Sequence, residues 1–242
     1  MKKSSLKKPS DKKDVFGAFL VENARFSKGK HDMPIVRSNI DALPTSVFSY
    51  QRVGNKKIEH PAGTALHFYI DDYVFDGRYG IWNALIYGTE FARGFNLGKL
   101  EGFDYIIAPD YSLTLDMPFD LQSRNVYRSR VVVHALQDLG YKVIVNVRWT
   151  DESSYEFCYE GIEEGSIVAV GSYGCSKAIV DRKLFDPGLE EMIRRIKPEA
   201  IIFYGSLTES VKRILDKYNQ KYIAFKPDIT VAMEEYHHGN EG

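Results

Sequence analysis

From residue 65 onward, short apolar runs alternate with helical stripes. The runs are Leu66–Ile70, Tyr105–Ala108, Val143–Val147, Ile167–Val170, Ala200–Tyr204 and Tyr222–Phe225. They are rich in β-branched and aromatic residues and have strand length. They are continuous rather than alternating, which predicts strands buried on both faces. Between them, Leu189, Met192, Ile193 and Ile196 recur at helical spacing, as do Leu207, Val211, Ile214, Leu215 and Tyr218. Each set forms one apolar face. Asp186-Pro187 reads as an N-cap followed by a proline in the first turn, and Lys197-Pro198 as the stop. Ser206-x-x-Glu209 reads as a capping box. A further helix is expected over Asn125–Leu139, closed by Gly140, and another between Ile81 and Arg93. Upstream, Phe16, Phe19, Leu20 and Val21 suggest a short amphipathic piece. Met33–Ile40 and Val47–Tyr50 suggest extended chain, and Gly54–Lys57 a loop.

Strand–helix–strand repetition implies right-handed β-α-β units and a mostly parallel sheet. The fold class is therefore α/β. Six or seven strands fit an open three-layer α/β sheet, and alternatively a TIM-like barrel.

Composition narrows the possibilities. The chain has 242 residues, which suits one large domain, and 44% of them are apolar, which excludes global disorder. Cys158 and Cys175 are the two cysteines, so a disulfide framework and a Cys-rich zinc module are excluded. No apolar run approaches the ~18 residues of a spanning helix. The basic start is followed by no apolar core, so it does not read as a secretory signal. These features predict a cytoplasmic protein with no membrane association. The net charge of −1 hides an asymmetry. Residues 1–13 carry six Lys and one Asp, leaving −6 on the remaining 229 residues. The expected organisation is a disordered basic tail over 1–13 and a single α/β domain over 14–242. The tail is either a solubilising terminus or a hook for a polyanion such as nucleic acid.

In either architecture ligands bind at the carboxyl ends of parallel strands. The residues just past each strand are polar: Asp71-Asp72, Asp110-Tyr111-Ser112, Asn146 with Arg148-Trp149, Ser172-Tyr173-Gly174, Tyr204 and Asp228. Asp71, Asp72 and Asp110 are candidate catalytic carboxylates for acid–base work. Asp71 with Asp110 could hold Mg²⁺ or Mn²⁺, which prefer carboxylate oxygens. Neighbouring residues on a strand face opposite ways, so one of Asp71 and Asp72 is expected at the site. Arg128 and Arg130, with Arg124, are placed near a helix start, where a cation opposes the dipole. That suggests an external anion or partners such as Asp116 and Asp120. Arg148-Trp149 could clamp an anionic or planar group. The Gly171–Ser176 turn resembles a phosphate nest but lacks the P-loop and dinucleotide fingerprints.

Other chemistries are absent. The six histidines show no metal-ligand spacing, and there is no G-x-S-x-G elbow. Pro109-Asp110 lacks the partner triplet of a restriction-type nuclease on the next strand.

The motif series resembles the family known as domain of unknown function 4417. It is carried by His67-Phe68-Tyr69-Ile70-Asp71-Asp72, Ala108-Pro109-Asp110-Tyr111-Ser112, Asp116-Met117-Pro118 and Asn125-x-Tyr127-Arg128-Ser129-Arg130. It continues in Val145-Asn146-Val147-Arg148-Trp149, Gly171–Gly174 and Lys197-Pro198-Glu199 through Tyr204-Gly205. The resemblance covers roughly residues 40–218. It implies a phage-type or mobile-element protein and supplies no activity. The expectation is an enzyme for a phosphate-bearing or nucleotide-like ligand. The competing expectation is a non-catalytic accessory that binds nucleic acid or a protein partner.

Overall fold

The structure is a computed structural model that describes residues 17–54, 62–87, 97–172, 179–227 and 230. The basic tail, the 55–57 part of the expected loop, and Tyr173, Gly174, Cys175 and Asp228 lie outside the described residues.

Seven strands form one sheet: β1 Ser46–Ser49, β2 Thr64–His67, β3 Tyr105–Ile107, β4 Val143–Asn146, β5 Val168–Gly171, β6 Ile201–Tyr204 and β7 Tyr222–Phe225. Every neighbouring pair is parallel, and the spatial order is the order in the chain, β1 through β7. The α-helices among the described residues are α1 Asp72–Asp76, α2 Ile81–Tyr87, α3 Phe119–Asp138, α4 Tyr155–Cys158, α5 Ile179–Ile196 and α6 Glu209–Lys217.

Sequential order has a geometric consequence. Right-handed crossovers that always step the same way put every helix on one face of the sheet. The opposite face must then bury itself by curling. Ala65, Tyr105, Ile107, Ile144, Ala169 and Ile202 form one inner cluster, and Val47 of β1 and Ile223 and Phe225 of β7 pack against it. Tyr69, just past β2, stacks on Tyr204 of β6 with centroids 4.5 Å apart and planes 3° apart. Those strands are four positions apart in the sheet. Of the two architectures left open by the pattern, the chain takes the barrel-like one.

The outer face is covered by helices in two clusters. One joins Leu66, Ile106, Val143 and Val145 to α2 and to Val132, Ala135 and Leu136 of α3. The other joins Val168, Val170, Ile201 and Phe203 to Leu189, Met192 and Ile193 of α5 and to Val211 and Leu215 of α6. Strands β2, β3, β4 and β6 are buried along their whole length, as continuous apolar runs predict. Strand β7 departs from this. It alternates exposed and half-buried residues, because it is an edge strand with only its inner side against the core.

Helix boundaries also differ from expectation. Helix α3 begins at Phe119, six residues before Asn125. Its first turns expose Phe119 and Leu121, so their apolar residues fall off the buried face. Gly140 ends it as expected, with φ at +90°. Helix α5 runs through Pro187 instead of starting there. A proline costs a helix one hydrogen bond and crowds the preceding turn. Here Gly188, the next residue, has its carbonyl bonded from outside by the Tyr159 hydroxyl at 2.8 Å. The indole of Trp149 packs so close to Gly188 that a Cβ there would lie 2.0 Å from Nε1. Tertiary packing therefore holds the helix across the proline. Lys197 does terminate it, in the left-handed region at φ +46°. In α6 the cap is Thr208, whose hydroxyl accepts from Val211 N, rather than Ser206. Helix α2 starts at Ile81 as expected and is described as far as Tyr87.

Candidate functional site

The inner face changes character at the carboxyl ends of the strands. Below the rim it is mostly aliphatic; at the rim it carries His67, Tyr69, Asp110, Asn146, Arg148 and Tyr204. Period-two alternation explains the selection. Asn146 and Arg148 are two apart and both turn inward, whereas Val147 and Trp149 turn outward into the helix layer.

The hydrogen bonds form a chain across three strand exits. The Tyr69 hydroxyl donates to Asn146 Oδ1 at 3.0 Å. Asn146 Nδ2 donates to Asp110 Oδ1 at 2.9 Å. Arg148 Nη1 donates to Asp110 Oδ2 at 2.6 Å, a charge-assisted contact. Asn146 is buried, and Asp110 is nearly so. Burial and the neighbouring Asp110 charge push the Tyr69 phenol well above its ordinary pKa, so it stays a proton-bearing donor. Beneath them the imidazole of His67 lies 4.4 Å from the Tyr204 ring. Burial pushes its pKa down to about 3, so it is neutral at physiological pH.

Above this network opens a pocket of about 410 Å³, walled by Ser49, Tyr69, Asp71, Asp110, Arg148 and Tyr204. Gln51, Ile70, Ser112, Gly171 and Pro227 complete it. Its residues come from the exits of β1 through β7, as the barrel-like curl requires. Gly171 matters sterically. A Cβ there would lie 3.0 Å from Tyr69 Cε1 and 3.4 Å from Asp110 Oδ2.

The sequence-predicted residues thus divide. Asp71, Asp110, Ser112, Arg148 and Tyr204 converge on the pocket, and Asn146 supports them from below. Asp72 does not line the pocket. Both its oxygens accept from the Ser112 amide, at 3.2 and 3.1 Å, so it fixes the loop that carries Asp110. Burial raises its pKa above the ordinary value. Asp71 is exposed, and its carboxylate makes no hydrogen bond or ion pair among the described residues. Tyr111 and Arg128 are engaged elsewhere. The Tyr111 hydroxyl donates to Asp76 Oδ1 at 3.0 Å, and Arg128 pairs with the same oxygen at 2.7 Å. The Arg128 guanidinium lies 4.5 Å from the ring centres of both Trp82 and Tyr111. Its partner is Asp76, not Asp116 or Asp120. With α3 starting at Phe119, Arg128 and Arg130 lie well inside the helix and escape the dipole argument. Arg130 is buried and donates to the carbonyls of Asn146 and Cys158. Trp149 packs on Phe185, and Ser172 donates to the Ser206 carbonyl.

Sequence reasoning passes over Tyr69, Ser49 and Gln51 as site residues, whereas Gly171 is read there as the start of a phosphate-nest turn. Tyr69 had a signal. It lies two residues beyond His67 and so on the same face. The others follow from curling, which brings β1 and β7 to one rim.

For a metal, Asp71 and Asp110 face one pocket. Among the described residues, however, no group of three His, Cys, Asp or Glu could hold an ion.

With this geometry in view, the comparisons with known proteins are informative. A family model described as domain of unknown function (DUF4417) matches residues 26–226. The chain belongs to that family. It is 32% identical over 194 residues to the Gene 1 protein of Mycobacterium phage L5, covering 79% of this chain and 80% of the relative. It is 30% identical over 194 residues to the Gene 1 protein of Mycobacterium phage D29, covering 79% and 67%. No solved structure matches. This DUF4417 member is therefore a phage-type protein, and the matched span includes every described residue of the rim except Pro227. No helix among its described residues is long and apolar enough to cross a membrane.

Proposed function

We propose that the rim pocket binds a compact, nucleotide-like small molecule and acts on it as an enzyme. The observation that carries this reading is the junction of a 410 Å³ pocket, a stacked Tyr69–Tyr204 pair and the Asp110–Arg148 pair at the carboxyl ends of a parallel barrel-like sheet. That volume falls in the ~300–1,000 Å³ range of small-ligand sites. In the proposed complex a planar ring lies against the tyrosines, and Arg148 meets an anionic or carbonyl group. The Asp71 carboxylate, unengaged among the described residues, accepts from hydroxyls or takes a proton as a general base. Asp110 is already committed to Arg148 and Asn146, so it serves by orienting Arg148.

The test is thermal melting of the protein with a panel of nucleosides, nucleoside monophosphates and triphosphates, with and without Mg²⁺. A concentration-dependent rise that is lost in Asp71→Asn and weakened in Arg148→Lys supports the reading. No shift with any of them, or a shift unchanged in both variants, overturns it.

A further inference from the structure

Behind the Asp110–Arg148 pair lies a second, much smaller cavity, between the β3 and β4 exits and helix α3. It has about 10 Å³, room for one water-sized sphere, and is lined by Pro109, Leu113, Ser129, Arg130, Asn146 and Arg148, among others. Among the described residues, no Asp or Glu lines it. Arg130 is 1% exposed. Its two terminal nitrogens reach backbone carbonyls, Asn146 O at 3.3 Å and Cys158 O at 2.8 Å. Its Nε is buried and makes no hydrogen bond among the described residues. No described carboxylate pairs with it. Burial lowers its pKa to about 10, which still leaves it cationic at neutral pH.

A buried guanidinium without an opposite charge is costly, because carbonyl dipoles replace only part of its lost hydration. The usual solution is an acidic side chain. Here Asp110, the carboxylate at the β3 exit, is shared between Arg148 and Asn146. A water molecule in the cavity could accept from Nε, yet it would leave the charge uncompensated. An anion would satisfy both. We propose that this cavity binds a single small monovalent anion of halide size as the charge partner of Arg130. Its dimensions reject phosphate and sulfate. The proposal does not depend on what the larger pocket binds.

Two readouts test it on the full chain. In crystals soaked in bromide, an anomalous peak is expected within hydrogen-bond reach of Arg130 Nε. In solution, chloride or bromide is expected to raise Tm saturably by about 2–4 °C over gluconate at matched ionic strength. Arg130→Met should abolish that difference. Failure of the variant to fold leaves the wild-type measurements decisive. An anomalous-silent water in the cavity, or equal Tm in chloride and gluconate, overturns the proposal.

Discussion

Two levels of one inner face, separated by two residues along each strand, behave as different materials. At the lower level Ile107, Ile144, Ala169 and Ile202 pack with no polar atom among their side chains. At the upper level Asn146, Arg148, Gly171 and Tyr204 replace that packing with hydrogen bonds, an ion pair and open space. The difference teaches where a barrel-like sheet can tolerate polarity. The lower level has no access to water and must be apolar and dense. The rim is wet on one side, so charges there keep part of their hydration and can meet a ligand. Substitutions at the two levels should therefore separate stability from binding.

The largest expected effect is at the lower level. Ile144→Ala or Ile202→Ala removes fully buried side chains and should cost about 2–5 kcal/mol, read by urea denaturation. A loss below about 1 kcal/mol would mean that the interior is loosely packed and the two levels are not distinct. Next is the boundary. Asn146→Ala strips the Tyr69 hydroxyl and Asp110 Oδ1 of their shared partner and should cost about 1–3 kcal/mol. Asp110→Asn keeps the shape and removes the ion pair. A loss of about 1 kcal/mol is expected, because Arg148 retains partial exposure. Gly171→Ala should leave the melting temperature within a few degrees while narrowing the pocket against Tyr69. Ligand-induced stabilisation should fall far more than intrinsic stability does, and equal losses would erase the contrast.

The smallest effect calibrates the outer surface. Arg194 and Arg195 hold the Glu191 carboxyl down to about 2, from an ordinary 4.5. A lowered folded-state pKa gives stability that is present above pH 4.5 and disappears as pH falls toward 2. Glu191→Gln should cost at most about 1 kcal/mol at pH 7, since the pair is partly solvated, and nothing near pH 2. A difference that persists at pH 2 would place the effect in packing instead.

Much of this organisation is visible in the order of residues. Continuous apolar runs mark six of the seven strands; for all of these but the edge strand β7 the reason is that a strand buried on both faces needs no polar residue along it. The strand exits, and hence Asp71, Asp110, Arg148 and Tyr204, follow from where those runs stop. Sheet curvature is a different matter. Nothing local tells Ser49 and Pro227 that they share a rim, since that depends on every crossover stepping in the same direction. The partners of long side chains are equally non-local. Arg128 and Arg130 look alike in sequence, yet one reaches Asp76 and two aromatic rings while the other is buried against carbonyls.

By itself, then, the sequence determined the strands, the α/β class and the polar residues at the strand ends, because burial pattern and turn chemistry are properties of neighbouring residues. The tertiary structure alone decided that the sheet curls toward a barrel and that α5 continues through Pro187. It also decided that Arg148 faces a ligand-sized pocket while Arg128 and Trp149 face the helices. Those outcomes depend on which distant surfaces can be buried together, and only the packing of all seven strands into one curled sheet settles that.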